Sequence, residues 1–327
     1  MSKRALICGI SGQDGTYLAQ LLLERGYEVW GSSRDAEQTT FSNARQLRIY
    51  DSLRLVSLNL RDIGNAIGLL KRIRPHEVFS LAGQSSVGLS FEQPVETIES
   101  VALGTLTLLE AIRLTDPDIR LYNAGSTECF GDTGEGVANE CARFNPRSPY
   151  AVAKASAFWT VANYREAYGL FACTGILSNH DSPLRPMRYV TRKIVHAVAL
   201  MAMGRELKLS LGNLEIERDW GWAPDYVKAI AMMLEQPSPQ DCIVATGQSR
   251  RLTEFVKAAF ELIGKDWRDH VTQDEKLMRP TDILHNRVDP SKAATYLGWK
   301  AKHGMKEVIS MMLEAEMKNL RDLCTAQ

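Results

Sequence analysis

The segment that most restricts the fold lies near the N-terminus. The apolar run Ala5-Leu6-Ile7-Cys8 leads into Gly9-Ile10-Ser11-Gly12-Gln13-Asp14-Gly15, and Thr16 to Gly26 follow with Leu18, Leu21, Leu22 and Leu23 at helical spacing. Strand, glycine turn and helix in direct succession predict a βα unit whose main-chain N–H groups approach a bound pyrophosphate at the positive end of the helix. The glycines fall as G-x-x-G-x-x-G, not G-x-G-x-x-G, so the flanking strand and helix carry the reading; alone the glycines would mark only a tight turn. Further apolar strands are expected at 28–31, 53–60, 77–81 and 121–124, with helical patterns between several of them. That alternation predicts an α/β fold, a doubly wound parallel sheet of the Rossmann type, with ligands at the carboxyl ends of its strands.

Beyond residue 180 the pattern loosens into a loop with Pro183 and Pro186, a helical stretch at 190–200 and shorter mixed segments. The expected organisation is a cofactor-binding domain at 1–180 and a smaller, discontinuous substrate-binding domain at 181–327. Segments near 213–226 and 243–265 are expected to return to the first domain, the helical pattern at 252–263 flanking its sheet. Lys plus Arg and Asp plus Glu each number 39 in 327 residues, so no net field is available for a polyanion. A small-molecule partner is expected rather than nucleic acid. The six cysteines never fall in C-x-x-C spacing and read as reduced thiols. The apolar runs at 5–10 and 197–203 are too short for a signal peptide or a membrane span, which points to a cytoplasmic protein.

The catalytic signal is Tyr150-Ala-Val-Ala-Lys154. Residues four apart share one helix face, so Lys154 can stabilise a tyrosinate and also reach a ribose hydroxyl. Chance often supplies Y-x-x-x-K, but here Gly125-Ser126-Thr127-Glu128 precedes it at the end of an expected strand. Ser126, Tyr150 and Lys154 would suffice to oxidise an alcohol. Glu128 adds a second base, suited to removing a proton beside a carbonyl; its alternative is a surface carboxylate that caps a turn. Arg34, after the second strand, stands where a dinucleotide fold inspects the adenosine ribose. It would pair with a 2′-phosphate and favour NADP over NAD, or else be a solvated arginine beside Asp35.

Longer segments carry a family resemblance: GISGQDG (9–15), LAGQSSVG (81–88), GSTECFG (125–131), PRSPYAVAK (146–154), GILSNHDSP (175–183), LGNLEIERDWG (211–221), RPTD (279–282) and LGWK (297–300). Through them the chain resembles the extended short-chain dehydrogenase/reductases and, within these, the GDP-mannose 4,6-dehydratases, over nearly its whole length. The resemblance implies a lyase in which Tyr150 takes the sugar 4-hydroxyl proton as hydride leaves C4, Lys154 tunes it, and Ser126 hydrogen-bonds the 4-oxygen. Glu128 would then remove the C5 proton and assist loss of water from C6, after which hydride returns to C6 and NADP is regenerated.

Binding roles follow from the same resemblance. Gly9, Gly12, Gln13, Asp14 and Gly15 would surround the pyrophosphate, Arg34 the adenosine ribose, and Asn59 and Leu60 the adenine. Leu81, Gln84 and Ser85 would follow the middle of the cofactor, and His180 and Arg185 its nicotinamide side. Ser86, Asn179, Lys193, Arg218 and Arg279 would meet the GDP-sugar, with Asp282 near its ribose. No metal is expected, because His180 has no second His or Cys at ligand spacing. Helices at 98–115 and 150–169 would build a homodimer, or a homotetramer with further contacts. The chain departs from the family pattern at Ser126 (usually Thr), Asp181, Pro186, Asp35 (usually a second Arg) and Asp282. These changes leave GDP-manno-heptose open beside GDP-mannose, and an NADPH-dependent 4-keto-6-deoxy-sugar-nucleotide reductase is the other enzyme class that the Ser-Tyr-Lys set would serve.

Overall fold

The computed structural model describes residues 2–325; the last two positions of the expected 181–327 unit lie outside them. Strand β1 (Arg4–Cys8) is central because both of its faces are buried. Ala5 and Ile7 point into one apolar cluster, Leu6 and Cys8 into another, as the two-residue period of a strand requires. Around it stand β2 (Glu28–Ser33), β3 (Arg54–Ser57), β4 (Glu77–Ser80), β5 (Arg120–Ala124) and β6 (Ala172–Leu177), in the order β6-β5-β4-β1-β2-β3. Every pairing is parallel, with Ala5 opposite Val29 on one side and Glu77 on the other. The first face is covered by α1 (Gln13–Glu24); the second by α2 (Ile63–Ile73), α3 (Gly104–Thr115) and α4 (Pro149–Tyr168). The order of the sheet changes direction at β1, so the cleft between the carboxyl ends of β1 and β4 is the switch point where such sheets hold ligands.

A second unit follows. β7 (Asn179–Asp181), α5 (Val190–Ala202), β8 (Leu209–Leu211) and β9 (Glu217–Trp222) lead into α6 (Ala223–Glu235), which returns to pack beside α1. β10 (Cys242–Val244) then joins the main sheet parallel to β6. β11 (Ser249–Arg251), α7 (Leu252–Glu261), β12 (Val271–Gln273) and α8 (Met305–Thr325) complete it. β11, β9 and β7 make a small sheet, β12 and β8 another. Buried Asp219 of β9 ties the units together: it accepts from the main-chain N–H groups of Thr246, Gly247 and Gln248 and from the Ser178 hydroxyl.

Three expectations need correction. Helix α7 does not flank the main sheet: Leu252, Phe255, Val256, Ala259 and Phe260 pack with α5 and α8 around Trp220. Its apolar stripe specified that one face be buried, not which partner would cover it. The strand expected at 53–60 stops at Ser57, because β2 ends at Ser33 and offers nothing to pair with beyond Leu58, whose N–H reaches Ser33 O at 2.8 Å. The helix expected at 98–115 is interrupted by a wider five-residue turn, Glu99–Leu103, which follows Pro94–Ile98 and precedes α3. That turn places Ser100 Oγ where the Gln84 N–H donates to it at 3.2 Å.

Candidate active site

The glycine turn is held by close approach. Gly9 has φ +88°, and a Cβ there would lie 2.8 Å from the Leu81 carbonyl; a Cβ on Gly15 would lie 2.4 Å from Gly9 O. Gly12 stands at the N-terminus of α1 with no side chain to cap the helix, so the first-turn amides are left for an external acceptor. Such a cradle fits the pyrophosphate of a dinucleotide.

Side chains brace this turn against β7. Gln13 Nε2 donates to Asp14 Oδ1 (3.0 Å) and to His180 O (3.2 Å), and Ser182 Oγ donates to Gln13 Oε1 at 2.8 Å. His180 lies between two acceptors, Ser178 O at 2.7 Å from Nδ1 and Asp14 Oδ2 at 3.0 Å from Nε2. With a main-chain carbonyl on one side and a carboxylate on the other, the arrangement favours the protonated ring. Burial opposes the charge on each partner, but their mutual attraction prevails: the His180 pKa is raised and that of Asp14 falls to about 2. The His180 ring stacks on Tyr226, centroids 4.5 Å apart.

The catalytic corner is built from β5 and α4. Ser148 caps α4, its Oγ accepting from Ala151 N at 3.1 Å, and Pro149 starts the helix, so Tyr150 and Lys154 project from its first turns on one face. Lys154 Nζ donates to Ala124 O at 2.6 Å and lies 5.7 Å from the Tyr150 ring centroid. Burial lowers the Lys154 pKa to about 8, which leaves it an ammonium at neutral pH. Burial also raises the Tyr150 pKa, against a hydrogen bond from Ser126 that favours the phenolate.

Glu128 is buried, which removes the reading of a surface cap. Its Oε1 lies 3.3 Å from Arg218 Nε, and Arg218 Nη1 donates to two main-chain carbonyls, Glu217 O (2.9 Å) and Ile283 O (2.8 Å). Arg218 Nη2 lies 3.6 Å from Asp282 Oδ1 and has no hydrogen-bond partner, although it is fully buried. The guanidinium is thus held between two carboxylates and two main-chain carbonyls in the wall of the cleft.

One cleft of about 1020 Å³ joins these features. Gly9, Gly12, Gln13, Asp14 and Gly15 line it, as do Arg34, Asn59 and Leu60 at one end and Leu81, Gln84, Ser85 and Ser86 along the middle. Ser126, Glu128, Tyr150, Lys154, Asn179, His180, Arg185, Lys193, Arg218 and Arg279 line the remainder. Asp282 does not; it sits behind the wall, within ion-pair distance of Arg218 and Arg279. Lys193 Nζ donates to Ser210 O at 2.7 Å, and Arg34 pairs with Glu96 in an exposed position. The sequence reading missed Tyr189, whose hydroxyl meets Ser85 Oγ at 2.6 Å and whose ring carries the Arg185 guanidinium at 3.7 Å. Its only local signal is its place just before α5. It also missed Arg61, which lines the cleft beside Leu60. Among the described residues no group of three His, Cys, Asp or Glu could hold a metal ion, and no helix is long and apolar enough to cross a membrane.

A doubly wound sheet with a glycine cradle at its switch point, and a Ser-Tyr-Lys set in the same cleft, defines the extended short-chain dehydrogenase/reductase class. Solved structures agree on the fold. The structure of dTDP-glucose 4,6-dehydratase from Bacillus anthracis str. Ames in complex with NAD superposes with TM-score 0.84 at 20% identity, covering 98% of both chains. That of Thermus thermophilus UDP-glucose 4-epimerase complexed with NAD gives 0.82 at 27% identity, covering 96% of this chain and 98% of that one. The profile of the family described as GDP-mannose 4,6 dehydratase matches residues 6–312. GDP-mannose 4,6 dehydratase 1 of Arabidopsis thaliana is 44% identical over 328 residues, 97% of this chain and 90% of the relative. The chain belongs to the GDP-mannose 4,6-dehydratase family.

Proposed function

We propose that this protein is a hydro-lyase that converts GDP-mannose to GDP-4-keto-6-deoxy-mannose, using NADP that is restored within each turnover. The observation that carries the reading is the buried Glu128 carboxylate in the same cleft as Ser126, Tyr150 and Lys154. A one-way alcohol dehydrogenase needs the hydroxyl, phenol and amine but has no use for a second base at that depth. The identity to the Arabidopsis relative, along nearly the whole chain, supports the same substrate.

The glycine cradle, the uncapped start of α1 and the length of the cleft fit a dinucleotide, held by Gly9 to Gly15 at its pyrophosphate, by Arg34, Asn59 and Leu60 at its adenosine, and by Lys154, His180 and Arg185 toward its nicotinamide. Bound there, it supplies a hydride acceptor for C4 and a donor for C6. Tyr150 acts as the phenolate that receives the 4-hydroxyl proton as C4 becomes a carbonyl; the Ser126 hydroxyl and the nearby Lys154 ammonium favour that form against the burial that opposes it, and Ser126 then donates to the 4-oxygen. The 4-ketone acidifies C5–H, which Glu128 removes. The resulting carboxylic acid then protonates the 6-hydroxyl as it leaves as water, and the proton that Tyr150 took from the 4-hydroxyl is the one C5 regains as C6 is reduced, which returns Tyr150 to its starting form. Burial keeps bulk water from this exchange. Arg218, Arg279, Lys193, Asn179 and Ser86 hold the nucleotide-sugar, with Asp282 aligning the two arginines.

Exposed apolar side chains on neighbouring helices, Leu103 and Leu106 beside Val152 and Trp159, support association through this face as a homodimer or homotetramer. Six unpaired cysteines, two of them exposed, support a reducing, cytoplasmic setting. The test is incubation of the purified protein with GDP-mannose and catalytic NADP. A 4-keto-6-deoxy product with no net change in NADPH is expected. One NADPH consumed per product would make it a reductase, and no ketosugar at all would end the proposal.

A further inference from the structure

The adenosine end of the cleft holds a charge arrangement that the chemistry at the sugar does not use. Arg34 follows the end of β2, and Arg61 lies four residues past the end of β3. Their guanidinium groups converge on one carboxylate. Arg34 Nη1 lies 2.9 Å from Glu96 Oε1, Arg61 Nη2 pairs with Glu96 Oε2, and the same Arg61 nitrogen lies 2.7 Å from Glu99 Oε2. All four residues line the cleft.

Two arginines from different strands that bind the two oxygens of one carboxylate are spaced to bracket an oxyanion. A phosphate monoester presents three such oxygens and close to twice the charge. The Glu96 pairs are solvated and therefore weak, so a dianion can replace the carboxylate at little cost. Asp35, the acidic neighbour that could bond a free 2′-hydroxyl, is committed elsewhere: its Oδ1 accepts from Glu37 N at 3.0 Å and Gln38 N at 3.1 Å, closing its own turn. One oxygen of that acidic neighbour is engaged, and two cations face one carboxylate in the cleft beyond the ends of β2 and β3, the region where such folds read the adenosine ribose.

We propose that Arg61 is the second jaw, with Arg34, of a clamp for the adenosine 2′-phosphate, and that Glu96 is its internal stand-in, so that Arg61 and Glu96 together set the preference for NADP over NAD. This rests on the reading of the cofactor as NADP. Glu96 holds the guanidiniums apart and facing each other while the site is empty, then yields to the phosphate.

Fluorescence titration of NADPH and NADH against the wild type and single variants tests it without reference to turnover. The wild type should bind NADPH at least about tenfold tighter than NADH. Arg61→Gln should lose about tenfold in NADPH affinity with NADH affinity held within about twofold, since a charge-assisted hydrogen bond is removed from one ligand only. Arg61→Lys should recover part of that loss. Glu96→Gln should bind NADPH about threefold tighter, because the competing charge is gone. A wild type that prefers NADH would overturn the NADP reading and the clamp with it. A wild type that prefers NADPH, combined with an Arg61→Gln protein whose two affinities are unchanged or fall together, would overturn the role of Arg61 alone. Weaker NADPH binding by Glu96→Gln would overturn the stand-in role of Glu96.

Discussion

At the sugar end of the cleft Glu128 faces Arg218 with side chains 10% and 3% exposed; at the adenosine end Glu96 faces Arg34 and Arg61 with side chains 29%, 79% and 44% exposed. The residue types are the same and the physics is different. Desolvation makes the inner pair costly to break from one side, and main-chain carbonyls fix the guanidinium in place, so the carboxylate has one position from which to act. Water screens the outer set, which can exchange its partner when a ligand arrives. The chain thus combines a buried, main-chain-fixed ion pair at one end of the cleft with a solvated set at the other.

The largest effect is expected from the inner corner. Tyr150→Phe removes the proton acceptor without changing the shape of the site, and turnover should fall about 10³-fold or more while the cofactor dissociation constant stays within about twofold. Rate measurements beside a binding titration check it, and near-normal turnover would refute the assigned role.

Stability should separate the two ends. Arg218→Met leaves the Glu128 charge buried without its partner and should cost about 3 kcal/mol in urea unfolding, with much of this recovered in the double variant with Glu128→Gln. Arg34→Gln at the outer end should cost less than about 0.5 kcal/mol. Equal costs would dissolve the contrast.

A third effect, on the order of 2 kcal/mol, concerns the brace between α1 and β7. The Asp14 pKa is lowered to about 2, so its contribution is present above the unfolded value of 3.8 and is lost as pH falls toward 2. That of His180 is raised, so its contribution is complete below 6.5 and fades as pH rises through the folded value. The melting temperature of Asp14→Asn should therefore lie furthest below the wild type between about pH 4 and 6.5, and approach it on either side.

The smallest effect should be kinetic. With Lys154 at about 8, its ammonium is lost as pH rises past that value, and the phenolate loses its support. The turnover number should decline severalfold between about pH 8 and 9, and this limb should be absent from the residual rate of Lys154→Met.

What the sequence revealed follows the same division between local and distant. Tyr150 and Lys154 were readable because helical periodicity places residues four apart together. The strand and turn at 5–15 were readable because apolar run, glycines and helix adjoin. Glu128 and Arg218 stand ninety residues apart, and no spacing rule could pair them; only the second sheet, which carries β9 across the mouth of the main one, brings them together. Asp35 and Arg34 are adjacent letters in the sequence, which does not reveal that one Asp35 oxygen closes its own turn while Arg34 reaches Glu96, sixty-two residues away. Helix α7 was visible as amphipathic, yet its partners were not. Asp282, placed by resemblance near the ribose, stands within ion-pair distance of Arg218 and Arg279, a grouping that no spacing rule spells out for Arg218.

In the proposed reaction the hydrogen removed from C4 is the hydrogen delivered to C6, with Glu128 acting on C5 between the two events. GDP-mannose deuterated at C4, converted with catalytic NADP and analysed by mass spectrometry and NMR, tests this directly. A 4-keto-6-deoxy product carrying the deuterium at C6 is expected, and none of that product from Glu128→Gln. A product free of deuterium, with reduced cofactor accumulating in step, would contradict it.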